Sequence, residues 1–135
     1  MNIYFPLKYR PAFVFISDLL AWGKKGWTFA CIVILSKKYS KDNAVLAHEL
    51  VHVSQAYRGW FIGTGIMWLL SDDYRLNIEV GGYAMEAFVD GDRGHLSHFA
   101  EVIHLKYWRM KKYSIEEILR RLDREYQRLV NGEYC

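Results

Sequence analysis

Apolar residues change their spacing along this chain, from short continuous or alternating runs near the start to helical spacing over the rest. Residues 12–16 and 27–35 are apolar runs rich in β-branched and aromatic side chains. They flank a short helix candidate at 17–22 and a Gly23-Lys24-Lys25-Gly26 turn. This pattern predicts two or three short strands within residues 1–38, with 29–35 the clearest. From Ser40 or Asp42 to about Arg58 the spacing becomes helical. Leu46, Leu50, Val53 and Tyr57 then fall on one ridge, His48, His52 and Gln55 on another face, and Gly59 ends the helix.

Residues 60–70 hold no charge and are apolar on most sides, so a second, buried helix is expected, with Gly63 and Gly65 permitting close packing. Ser71-Asp72-Asp73 reads as a turn and cap for a third helix over about 74–89. Glu79, Tyr83, Glu86 and Asp90 share one face of it, and Gly81-Gly82 suggests close contact with another element. Residues 91–94 form a loop, and Ser97 caps a fourth helix to about Lys112. Ser114-Ile115-Glu116-Glu117 is a capping box that opens a last helix to about Val130. Its Ile115, Ile118, Leu119, Leu122, Tyr126 and Leu129 make the buried stripe, with Arg120, Arg121, Arg124 and Arg128 mostly off it.

Composition fits this picture. At 135 residues with 52% hydrophobic and 16% aromatic side chains, the chain can bury one domain's core and is not disordered. Cys31 and Cys135 make no disulfide framework. Cys31 reads as a buried thiol and Cys135 as part of a frayed end. Lys8 and Arg10 precede an apolar stretch, but Pro6, Pro11 and Asp18 break up this N-terminal region, so it is not read as a signal peptide. The 60–70 run is about half the length that crosses a bilayer. A soluble, cytoplasmic protein without a membrane span is expected. Residues 1–103 carry ten basic and ten acidic side chains, and residues 104–135 carry eight and five, so the net charge of +3 resides in the last quarter.

The candidate chemistry lies in the central helix, at His48-Glu49-Leu50-Val51-His52. Two His four apart on a helix can aim ring nitrogens at one ion, and the Glu between them can reach a water instead. Zinc held by two nitrogens and a carboxylate keeps a position open for that water and makes it more acidic. Glu49 is then the candidate general base. A metzincin extension is excluded, because its Gly and third His positions hold Gln55 and Arg58. The third ligand stays open: an all-His site can draw on His95, His98 or His104, and a gluzincin-type site on Glu79.

The run from Trp27 to Ala87 resembles small phage- and bacteria-encoded zincin metallopeptidases, gluzincin-like in their ligands. The matching pieces are His48 to Gln55, Gly59, Tyr74-Arg75, Asn77, Glu79 and Tyr83-Ala84, over about half the chain. The resemblance implies an α+β fold, a minimal zincin-like domain spanning 1–135 with a small N-terminal sheet and a mainly helical body. It also implies Zn2+ on His48, His52 and Glu79, with Glu49 as catalytic base and a peptide or protein as substrate. The chain differs from the family at Gly81-Gly82, where Glu-Ala is common, and Glu86 is the reserve ligand. Tyr83, Tyr74, Gln55, His95 and His98 are candidates for orienting the site or stabilising an oxyanion.

Two other readings compete. The segment Lys106-Tyr107-Trp108-Arg109, then Lys111-Lys112-Tyr113, interleaves bases with aromatics, as DNA-associated proteases of the SprT-like class do. The competing view of that segment keeps its bases in solvent, with Trp108 and Tyr113 packed inside and no nucleic acid bound. A zinc-binding interaction module with little turnover is the third possibility.

Overall fold

The computed structural model describes residues 1–7 and 10–133, with backbone alone for 5–7. Lys8 and Cys135, both singled out above, lie outside the described residues. The chain divides into two compact units, Met1–Ile66 and Met67–Cys135. With a small N-terminal sheet and a mainly helical remainder, the fold is α+β.

The first unit holds a sheet of strands β1 (Asn2–Leu7), β2 (Arg10–Ile16), β3 (Gly26–Phe29) and β4 (Ile32–Leu35) in the order β1-β2-β4-β3. β1 pairs antiparallel with β2, β2 runs parallel to β4, and β3 is antiparallel to β4. The expected strand over 29–35 is therefore broken into the end of β3, a turn and β4, which folds back on β3. The break falls at Ala30, whose φ of 55° is left-handed, and at Cys31, which is half-buried in the turn. Continuous apolar character hid this turn, because neither residue is a usual turn former. β1 was also unforeseen. Pro6 counts against a strand, yet β1 lies at a sheet edge, where a missing amide N–H costs least.

Helix α1 (Asp18–Ala21) makes the crossover between β2 and β3, and the Asp18 carboxylate accepts from the Lys37 amide at 2.8 Å. Helix α2 (Asn43–Arg58) starts where expected: Asp42 caps it, accepting from Ala44 N and Val45 N at 3.0 and 3.2 Å. Val45 and Val53 bury against Ala12, Val14, Val33 and Leu35, with Leu46, Leu50 and Tyr57 at the margin. Tyr57 also donates its hydroxyl to Pro11 O at 2.8 Å, fixing the end of α2 to β2.

Helix α3 (Ile62–Leu70) carries the chain from the first unit into the second, and none of its residues is buried. This corrects the expectation of a buried helix. Ile62 and Leu70 are each 77% exposed, and Cβ atoms on Gly63 and Gly65 would meet nothing within 4 Å. Those glycines do not serve close packing.

In the second unit, α4 (Asp72–Asp90) is capped by Ser71 and ended by Gly91, whose φ of 69° suits glycine. Helix α5 covers His95–Lys106, and α6 covers Ile115–Val130 with Ser114 Oγ accepting from Glu117 N. The α5 boundaries differ from expectation. It starts after Gly94, two residues before Ser97, and stops at Tyr107. Left-handed Arg109 (φ 64°) then leads into a tight turn over Met110–Lys112. Leu76, Val80, Ala84 and Ala87 of α4, Leu96, Phe99 and Ile103 of α5, and Ile118, Leu122 and Leu129 of α6 form its core. The α6 stripe is as expected except at Ile115, which is exposed.

Candidate functional site

The HExxH motif occupies the middle of α2, on the side facing β3. His48 and Glu49 are each only 6% exposed, and His52 is half-buried. The His48 and His52 rings stand edge to face with centroids 4.8 Å apart, as helical spacing dictates. Gln55, one turn further on, sits with Oε1 2.9 Å from His52 Nδ1. A carbonyl oxygen there accepts the Nδ1 proton, which makes Nε2 the acceptor nitrogen of the ring. Gln55 is thus an orienting residue for His52.

Glu49 is held from the sheet. Thr28 Oγ1 on β3 donates to Glu49 Oε2 at 2.6 Å and also lies 3.2 Å from the Glu49 carbonyl. A buried carboxylate needs such a donor, since losing water without replacement costs several kcal/mol, of order 2–7 even for a neutral polar group. Gly26, two residues before Thr28, faces the same helix. A Cβ there would stand 3.1 Å from Glu49 Oε1 and 2.7 Å from Leu35 Cδ2. Thr28 and Gly26 were missed in the sequence. They lie on the face of a short strand whose partner helix is fixed only by the fold.

The second unit supplies the other candidates. Glu79 is 7% exposed and Glu86 6% exposed, both on α4, with Tyr83 half-buried between them. Glu79 is hydrogen-bonded by Tyr107, whose hydroxyl is 3.0 Å from that of Tyr83. Burial first, and the Glu79 carboxylate second, push the Tyr107 phenol above its ordinary pKa. Tyr107 therefore stays protonated and donates to Glu79, and Tyr83 donates to Tyr107 in turn. Tyr107 was read as part of a basic aromatic segment. It instead ends α5 and turns back toward α4.

Tyr74 is half-buried in the first turn of α4. Its neighbours in the motif have structural partners: Arg75 is fully buried, and Asn77 accepts from Arg121 at 3.0 Å. Each α5 histidine has its own setting. Exposed His95 lies 3.5 Å from Asp90 and 3.3 Å from Asp92, exposed His98 neighbours Phe99, and His104 donates Nδ1–H to Tyr113 O at 2.9 Å.

No family model, curated protein or solved structure matches this chain.

Proposed function

We propose that this protein is a zinc-dependent metallopeptidase in which His48, His52 and Glu79 hold the ion and Glu49 is the general base. The observation that carries the reading is the arrangement around Glu49. A buried HExxH carboxylate, flanked by two turn-related imidazoles, is oriented by a hydroxyl from an edge strand. The donors suit zinc. His52 has its Nδ1 engaged by Gln55, and Glu79 is a buried carboxylate with a phenol as hydrogen-bond donor.

Zinc in such a site supplies Lewis acidity and makes water more acidic. The chain's own residues do the rest. Glu49 takes the proton of the attacking water and passes it to the leaving amine, while Thr28 keeps its carboxylate in one orientation. β3 is the open edge of the sheet, so its backbone N–H and C=O groups can pair with an extended peptide. Within the sheet β4 is interior and Gly26–Phe29 is the edge. A cytoplasmic setting belongs to the same proposal. No helix among the described residues is long and apolar enough to cross a membrane.

The test is a peptide library digested by zinc-loaded protein, chelated protein and Glu49→Gln, alongside metal analysis. Cleavage that needs both zinc and Glu49 is expected. Stoichiometric zinc without cleavage would replace the enzyme with a binding module, and absence of zinc binding would end the metal reading.

A further inference from the structure

The mechanism leaves two features of the second unit without a use: the exposed apolar end of α3 and the basic segment around Trp108. They are adjacent. The Arg75 guanidinium lies between the Trp68 and Trp108 rings, 4.5 and 4.6 Å from their centroids, and the two rings are 6.4 Å apart. Arg75 also donates to the carbonyls of Trp68 and Leu69. The last turn of α3 is thereby fixed beside the 108–112 segment.

This neighbourhood presents both apolar and cationic groups to solvent. Leu69 is 57%, Leu70 77% and Trp108 58% exposed. Asp72 is contacted by Arg75 at 2.8 Å, Arg109 at 3.2 Å and Lys112 at 2.6 Å, so one carboxylate meets three cations and the cluster stays positive. Exposed Lys111 adds to it, in the part of the chain that holds the whole net charge.

We infer that this face docks on the surface of an anionic phospholipid bilayer. Nine helical residues reach about 14 Å, near half the hydrocarbon thickness, so α3 can lie in the interface but not span it. Apolar side chains enter the acyl boundary, Trp108 takes the headgroup level, and the cations meet lipid phosphates. Stable attachment takes two such signals, and both are here. A nucleic acid would satisfy the cations but leave Leu69 and Leu70 in water, since aliphatic side chains neither stack on bases nor pair with phosphates.

The full chain would be floated with phosphatidylcholine vesicles, with and without phosphatidylglycerol, across a salt series while Trp emission is recorded. Binding to the anionic vesicles alone is expected, with a blue shift and weakening as salt rises. Leu69→Asp with Leu70→Asp should lower vesicle affinity about tenfold or more. Lys111→Ala should lower it about fivefold, and this variant decides the matter if the double variant does not fold. No binding to either vesicle, or equal binding to both, would overturn the inference. So would salt-sensitive binding of a DNA duplex without vesicle binding. A dimer that Leu70→Asp dissociates, with no vesicle binding, would assign the face to a second copy.

Discussion

Thr28 Oγ1 donates a 2.6 Å hydrogen bond to Glu49 Oε2, joining the edge strand to the motif helix across 21 positions of sequence. It makes β3 part of the site as well as its border. The same strand that is proposed to pair with a substrate backbone also sets the direction of the carboxylate proposed to accept the proton.

Thr28→Val keeps the shape and removes the hydroxyl, so kcat should fall about tenfold, the worth of one charge-assisted hydrogen bond. KM should change little, and Thr28→Ser should restore the rate. A Thr28→Val enzyme with parental kcat would show that Thr28 only supports the fold.

Glu49→Gln retains size and a hydrogen-bonding group but cannot take a proton. Turnover should drop by a factor on the order of 100 or more, with zinc content unchanged by elemental analysis. Loss of zinc in this variant would mean that Glu49 is itself a ligand.

Gln55→Leu removes the acceptor from His52 Nδ1, and zinc affinity should fall about 10–100-fold in a competition titration with a chromogenic chelator. Stripping zinc from the parent should lower its melting temperature, because an ion that binds only the folded chain stabilises it. Unaltered affinity in Gln55→Leu would remove the orienting role.

Asp72 gives a pH dependence of defined sign. Its hydrogen bond from Lys112 is the largest cause lowering its carboxyl pKa, burial opposes that, and Arg75 and Arg109 add to the lowering. A depressed folded pKa contributes stability that is present above the ordinary carboxylate range and fades as pH falls through the folded value. Asp72→Asn should therefore melt below the parent at neutral pH, and the gap should narrow in acid. A gap that stays constant down to strongly acidic pH would show that charge is not the cause.

Amphipathic α6 and apolar α3 separate packing from hydrophobicity. Leu122 on α6 is fully buried, so Leu122→Ala should cost about 2–5 kcal/mol in chemical denaturation. Leu70→Ser should cost almost nothing, as its side chain is 77% exposed. A large loss from Leu70→Ser would mean that α3 is covered.

By itself the sequence determined the elements whose signals are local. Asp42, Ser71 and Ser114 stand where caps were expected, because a side-chain oxygen needs only the amides two or three residues ahead. The turn-related pairing of His48 with His52, and the α6 stripe, follow equally from 3.6-residue spacing. What the chain could not reveal is which elements meet. Residues 29–35 read as one strand because apolarity is continuous through Ala30 and Cys31, while the hairpin is selected by pairing of β3 and β4 with each other. Uniform apolarity in residues 60–70 predicted burial, yet burial requires a partner surface, and none of the α3 residues is buried. Thr28 on Glu49, Gln55 on His52 and Tyr107 on Glu79 illustrate the same division. Gln55 lies three residues from its histidine on one helix, so its reach was legible. Thr28 and Tyr107 meet their carboxylates across long stretches of chain, and only tertiary packing brings such groups within hydrogen-bond range.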